Sequence, residues 1–420
     1  MDEVFNQIWE SGMSEAADAI GYRALVRLPG ALYPWAMSTL GRLSSGMVPL
    51  SILFVSQHAT KSFSVAGLVL GAFGVATIIA PFKARLIDRR GQANVLGTLA
   101  VLYSGVLILF AAVAVKLERL GVPLILLAAL AGALAPPLGP SMRTVWAALA
   151  PSKSARQRAY TLDTIIEEGT LTSGPLIVGG LLAIQGPVLA LWVTIVLALV
   201  GTGGLALSSP TRLRGGSDAV EGREPHGSPL RLRGFTVLLG SALAVGLALG
   251  AIDIAVAARA NANGTPSAAG YLLAMLAFGS AIGGMLWDRR KHLRAPTTHL
   301  ALLLIVLATG SLAAAAVGSL AVLGVIMLFA GAVTSPVFIV SYLLLDEIAP
   351  ETMHTEASTW VNTANNVGAS LGAVGAGALV DFASVSTSLV LGAGVLIAAS
   401  ILVIARRGSL RVPGVGSGLA

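Results

Sequence analysis

Six charged residues stand in stretches that are otherwise long, apolar and nearly free of charge: Arg42, Arg143, Asp163, Glu167, Glu168 and Asp253. A charge held away from water is costly unless it is paired, so each is either tied to a partner or put to work on an ion. Three of the acids fall in one run, Ala159-Tyr160-Thr161-Leu162-Asp163-Thr164-Ile165-Ile166-Glu167-Glu168. On a helix Asp163 and Glu167, four apart, share a face, while Glu168 is turned about 100° from Glu167. Two chemistries fit such a set: a static network of ion pairs, or an acid in excess that takes up and releases a proton. Asp253 is the one acid of its stretch, and Arg259, six residues on, is poorly placed to share its helix face. It reads either as a ligand for a cation or proton, or as an acid in a watery vestibule. Other chemistries are excluded. The chain has no cysteine, hence no disulfide or thiolate metal site. Its five histidines (His58, His226, His292, His299, His354) have no ligand-like spacing. No nucleophile–base set and no phosphate-binding loop accompanies them, so neither an enzyme nor an ATP-driven machine is expected.

The elements that must position these charges follow from composition. Apolar residues make up 55% of the 420, charged residues 11%, and the mean hydropathy is +0.83, far from a soluble domain with about 25% charge. A helix crossing a bilayer needs roughly 20 mostly apolar residues. Twelve such stretches are predicted, at about 32–57, 64–87, 93–115, 121–149, 159–184, 187–208, 235–258, 266–287, 297–317, 320–345, 354–380 and 385–405. Their length and lack of two-residue alternation favour helices over a membrane barrel. With both termini cytoplasmic, Lys61, Lys116, Arg119 and Arg259 fall outside, Arg42 and Arg143 lie within spans, and the other Lys and Arg fall on the cytoplasmic side. That is the positive-inside pattern, so the net charge of +7 reflects topology and attraction to anionic lipid, not nucleic-acid binding. No cleavable signal peptide is expected, because the first strongly apolar run is too long and starts after about 30 residues. The predicted organisation is a cytoplasmic tail (1–30), a first half (31–208), a Gly- and Ser-containing cytoplasmic linker (209–234) that tolerates insertion, a second half (235–406) and a C-terminal tail (407–420).

The two halves repeat each other. Ala84-Arg85-Leu86-Ile87-Asp88-Arg89-Arg90-Gly91 returns as Gly284-Met285-Leu286-Trp287-Asp288-Arg289-Arg290-Lys291, 200 residues on. Pro137, Ala150-Pro151 and Gly169 return as Pro336, Ala349-Pro350 and Gly368, each 199 residues on. In a chain so poor in charge, the Asp-Arg-Arg and proline matches mark an internal duplication.

Twelve spans, duplicated halves, a long central loop and an acidic-basic turn after the second span of each half resemble the major facilitator superfamily, over about residues 22–410. The superfamily's loop motif runs Gly-x-x-x-Asp-Arg-x-Gly-basic-basic. Asp88, Arg89 and Gly91 match it, with Ala84 at the leading glycine and Gln92-Ala93 at the basic pair, and the second copy keeps Gly284, Asp288 and Arg289. The resemblance implies an all-α membrane protein of two pseudo-symmetric six-helix bundles, in which these turns latch the cytoplasmic helix ends. Gly174-Pro175-Leu176-Ile177-Val178-Gly179-Gly180 is similar to the Gly-Pro-x-x-Gly-Gly element of drug–proton antiporters, with one residue more between its parts. It implies either a bend in the fifth span or generic close packing by small residues. The run around Asp163, with Pro136-Pro137 and Arg143, is similar to a bacterial exporter-like branch. The segment Leu124 to Leu134, by contrast, lacks the arginine of drug antiporters.

The fold so implied makes the first, fourth and fifth spans neighbours. By rise per residue Glu167, Arg42 and Arg143 lie at a similar depth, roughly 10–15 Å from the cytoplasmic ends. Three acids then meet two arginines, leaving one acid in excess. Glu167 or Glu168 is expected to carry the proton, Arg42 and Arg143 to tune it, and Asp253 to set the polarity of the cavity. Asp163 and Glu167 correspond to Asn362 and Asn366, which with Asn365 are expected either to line the cavity or to bond between helices. The expected function is proton-coupled export of a small amphipathic organic compound by a monomer in the inner membrane, driven by the proton gradient without a cofactor. A proton-coupled importer or lipid flippase on the same scaffold, and a non-transporting sensor or scaffold, are the alternatives.

Overall fold

The computed structural model describes residues 25–116, 121–208, 230, 232, 234–288, 295–349 and 354–410. Among them there is no strand, and fourteen α-helices: α1 Leu32–Thr60, α2 Phe63–Ala76, α3 Ala80–Arg90, α4 Gln92–Lys116, α5 Gly121–Leu134, α6 Leu138–Leu149, α7 Lys153–Gln185, α8 Pro187–Leu207, α9 Phe235–Ala262, α10 Ala268–Asp288, α11 Pro296–Ala316, α12 Leu320–Ile348, α13 His354–Phe382 and α14 Val385–Ala405. They make twelve passes, because two passes are broken. The second consists of α2 and α3 joined by the 3-10 turn Thr77–Ile79. The fourth consists of α5 and α6, and its break corrects the uninterrupted span predicted over 121–149. Continuous apolarity loses there to Pro136-Pro137, which cannot donate to a helix and push the preceding residue out of helical geometry.

Local chemistry sets the helix ends. The hydroxyls of Ser62, Ser152 and Ser384 accept from the N–H groups of Val65, Ala155 and Thr387, capping α2, α7 and α14. Proline opens α8 and α11, where a missing N–H costs nothing. By length and apolarity nine passes among the described residues qualify as membrane-spanning. The three that fall short are the broken second pass, α7 and α13, and the main contacts between the halves run from these three, α2 to α13 and α7 to α10.

Close helix approach is bought with glycine, as in other membrane bundles, where burial alone supplies little drive. In the first half Gly46 of α1 meets α7, where an added Cβ would stand 2.6 Å from the carbonyl oxygen of Thr170. In the second half Gly250 of α9 meets α13 at the carbonyl of Ala369, 199 residues after Thr170. Gly132 of α5 packs on the Phe73 carbonyl of α2, and Gly331 of α12 on the Leu276 carbonyl of α10. The duplication read from the sequence is thus repeated in the packing. Side chains such as Val101, Leu126, Phe329 and Ile401 are exposed, forming the apolar outer surface that a bilayer requires.

Passes alternate in direction. The helix ends near Lys61, Gly186, Gly264 and Ala383 gather on one face, the distal face, and those near Gly91, Ala150, Ser208 and Arg406 on the other, the terminal face. The halves meet toward the distal face. Gly67 of α2 lies against Ala373 and Gly377 of α13, and Gly270 of α10 lies against Pro175 and Gly179 of α7. Toward the terminal face α3 packs on α4 rather than on the second half, and Ile79, Phe82, Trp360 and Asn366 are exposed.

Candidate functional site

Four of the charges singled out in the sequence form one network. Asp163, with no exposed surface, takes a hydrogen bond from Arg42 Nη2 at 2.8 Å, and Arg42 Nη1 donates to the Asp163 carbonyl at 3.2 Å. Arg143 is shared loosely, its Nε 3.9 Å from Asp163 Oδ2 and its Nη2 3.5 Å from Glu167 Oε2. Oδ1 of Asp163 is buried without a hydrogen-bond partner. Glu167 lies against the first turn of α6, where a Cβ on Gly139 would stand 3.4 Å from its Oε1. The positive end of the half-helix beyond Pro136-Pro137 therefore faces a carboxylate.

Glu168 does not join them. The expected five-charge cluster is a four-charge network of two acids and two arginines, and the acid in excess is Glu168. Its rotation from Glu167 turns it into a cavity of 430 Å³ between the halves. Asp253 lines the same cavity from α9. Among the described residues neither Glu168 nor Asp253 has a side-chain hydrogen-bond or ion-pair partner. Arg259 is engaged elsewhere, donating to the Val317 carbonyl and to the Ser386 hydroxyl. The remaining wall is Pro49, Leu50, Leu53, Leu70, Leu171, Pro175, Leu249, Leu273 and other small or apolar groups, with hydroxyls from Thr172, Ser280 and Thr334.

The three asparagines are set apart from this wall, to which α13 contributes Ala369. Asn362 accepts a hydrogen bond from the Tyr342 hydroxyl at 3.0 Å and donates to the Ser358 carbonyl. Tyr342 and Asn362 stand 199 residues after Arg143 and Asp163. The second half therefore carries a neutral copy of a pair that is ionic in the first. Asn365 is half-buried, its Oδ1 without a partner, and Asn366 is exposed.

In the acidic-basic turns, Gly91 has φ 85° and its N–H bonds the Ile87 carbonyl, ending α3. Arg89 is exposed. The side chains of Asp88 and Asp288, and all of Arg289, lie outside the described residues. Gly174 and Gly179 serve close approach: an added Cβ would stand 2.5 Å from the Gly46 carbonyl carbon for the first and 2.7 Å from the Ser267 oxygen for the second. Pro175 lies within α7 and its carbonyl faces Gly270.

Two residues escaped the sequence reading. Lys83, buried on α3, donates from Nζ to the Ala135 carbonyl at 2.6 Å, satisfying the end of α5 at the prolyl break. A lysine inside the predicted second span, 64–87, was the available signal. Asp381, one residue past the predicted eleventh span, takes hydrogen bonds from the Ser62 hydroxyl at 2.6 Å and from the N–H groups of Phe63 and Ser64 at 3.0 and 2.8 Å. It caps a helix of the opposite half. Partial burial works to raise its pKa, but the bonds from Ser62, Ser64 and Phe63 outweigh that and hold the carboxyl below its ordinary value.

The sequence matches the family model of the Major Facilitator Superfamily over residues 35–373. A comparison with curated proteins finds no match. Among solved structures, the nucleoside transporter NupG superposes with a TM-score of 0.68 at 13% identity, covering 90% of this chain and 98% of its own. A bacterial homologue of the iron transporter ferroportin in an inward-facing state gives 0.65 at 17% identity, covering 89% and 98%. An auto-inhibited peptide transporter of the POT family gives 0.60 at 14% identity, covering 93% and 99%. At such identities the likeness speaks for the fold alone, and three different cargoes on one fold leave the cargo to be argued from the site. The family match, in contrast, runs through both halves and the cavity they enclose: the chain belongs to the major facilitator superfamily, as a multi-pass membrane transporter and not an enzyme.

Proposed function

We propose that this transporter, a monomer of the exporter-like branch, moves a small amphipathic organic compound out of the cell in exchange for protons, by alternating access of its central cavity. The observation that carries the proposal is the pair Glu168 and Asp253. Two carboxylates from opposite halves face one largely apolar cavity with no partner among the described residues, and an unpaired acid in such a place is suited to bind and release a proton. With the basic terminal face in the cytoplasm of an inner-membrane protein, the distal contacts close the outside and the cavity lies on the inward route. Asp163 and Glu167, paired with Arg42 and Arg143, hold α1, α6 and α7 together beside it. The proton gradient supplies the driving force, and no cofactor is required.

The test uses purified protein in liposomes with a lumenal pH dye, an imposed proton gradient and a panel of lipophilic cations, antibiotics, sugars and amino acids. Substrate-dependent proton flux is expected, lost in Glu168→Gln and Asp253→Asn, and only reduced in Glu167→Gln. Flux that survives both cavity changes would remove the proton assignment. Substrate movement without proton flux favours an uncoupled carrier or flippase, and no response to any compound favours a non-transporting scaffold.

A further inference from the structure

We infer that the cavity takes a lipophilic organic monocation, held between Glu168 of the first half and Asp253 of the second. This rests on the transporter reading above and names its cargo class.

The wall sorts the alternatives by their chemistry. A zwitterion or an organic anion needs a cationic group for its carboxylate or phosphate, and among the described residues no Lys, Arg or His lines the cavity. The nearby arginines, Arg42 and Arg143, are engaged by Asp163 and Glu167. A divalent metal needs about four to eight oxygen, nitrogen or sulfur ligands, several of them from the protein. Among the described residues no group of three or more His, Cys, Asp or Glu could hold a metal ion. A polyhydroxylated or nucleoside-like cargo needs many hydrogen bonds, but beyond the two acids only the hydroxyls of Thr172, Ser280 and Thr334 are at hand. A neutral apolar compound would make no use of the two carboxylates, the only charged groups on the described wall.

A lipophilic monocation meets every term. Its apolar body covers Leu50, Leu53, Leu171 and Leu273, and its charge offsets the acids that no described residue pairs. A volume of 430 Å³ lies within the roughly 300–1,000 Å³ of small-molecule sites. Because the acids belong to different halves, a cation bound at both would link the halves at the depth of the cavity. Cation and proton then compete for the same oxygens. Binding of either promotes release of the other, by reciprocal linkage, and this is the coupling that exchange requires.

The experiment compares three probes of similar shape on the full chain in nanodiscs: tetraphenylphosphonium, its anionic counterpart tetraphenylborate and neutral triphenylphosphine oxide. Tetraphenylphosphonium is expected to bind about tenfold or more tightly than the other two, and to release protons into a weakly buffered medium. Glu168→Gln and Asp253→Asn, both close in shape to the native side chains, are each expected to weaken it about tenfold, with Asp253→Glu restoring much of the loss. Unfolding temperatures of all three variants report whether the fold is intact. Equal or tighter binding of the anion or the neutral probe overturns the inference, as does unchanged cation binding in both acid-to-amide variants. The liposome assay separates the two readings. Proton flux driven by neutral or anionic compounds alone overturns the cation class and leaves the transporter standing. Acid-dependent cation binding without flux upholds the site and removes the exchange.

Discussion

Glu167 and Glu168 are adjacent in the chain and differ in every physical respect that matters. Glu167 is held at the loose end of an arginine-centred network, and Glu168 faces the cavity alone. The tight member of that network is Arg42–Asp163, and its energetics follow from burial. An ion pair taken out of water gains little over a well-packed apolar pair, but removing one partner strands the other. Asp163→Ala is therefore expected to cost about 3–5 kcal/mol, seen as a lower unfolding temperature in detergent, whereas Arg42→Met with Asp163→Leu recovers most of the loss. If the single variant is as stable as the parent, the pair is not what ties α1 to α7. Glu168→Gln, by contrast, leaves the unfolding temperature where it was, because no described residue depends on that carboxylate.

Helices meet across the halves along two seams, and the seams are not equivalent. α7 meets α10 through bare glycine contacts at Gly179 and Gly270. α2 meets α13 through glycines as well, but adds the Asp381 carboxylate over the first N–H groups of α2. Opening the distal face must break that cap. The sign of its pH dependence follows from the lowered pKa of the bonded carboxyl. The contribution to distal closure is complete above the ordinary carboxylate value. It fades as pH falls through the lowered value, and it is absent when the group is protonated in both states. Asp381→Ala removes it at every pH, and a lost cap of about 1 kcal/mol shifts the closed population by about fivefold. Distance measurements between spin labels on the distal ends of α2 and α13 read this population. A distance distribution that is the same in Asp381→Ala and parent, at neutral and acid pH, would show that the cap does not hold the seam. At the neighbouring point, Gly377→Val is expected to wedge the seam, because a Cβ there already meets the Phe63 carbonyl.

For the molecule as a whole, the basic terminal face fixes an expected orientation, and the absence of cysteine makes it simple to check. Lys61→Cys on the distal face and Ser409→Cys on the terminal face each introduce a single thiol. A membrane-impermeant maleimide added to intact spheroplasts is expected to label the first and not the second, and the reverse pattern would invert the topology and with it the direction of export. The expected linker over 209–234, nearly all of it outside the described residues, offers a second test at this scale. Ten flexible residues inserted after Gly216 are expected to leave flux within about twofold of the parent, since loop length costs little free energy.

Much of this was legible in one dimension. Twelve passes, their pairing into duplicated halves and the short list of charges set in apolar stretches are local properties: apolar run length, repeat offset and the rarity of charge in such a stretch. Even the turn of Glu168 away from Glu167 is contained in helical periodicity. What the sequence could not contain is which partner each charge meets, because pairing is decided by the packing of separate helices against one another. Only the tertiary structure separates the four-charge network from the unpaired Glu168, brings Asp253 from the other half into the same cavity and keeps Arg259 out of it. It also puts Asp381 on the helix end at Phe63, 318 residues away, and Lys83 on the broken end of α5. The break at Pro136-Pro137 was visible as two letters, but its consequence, a half-helix whose positive end faces Glu167, exists only once α7 is laid beside it.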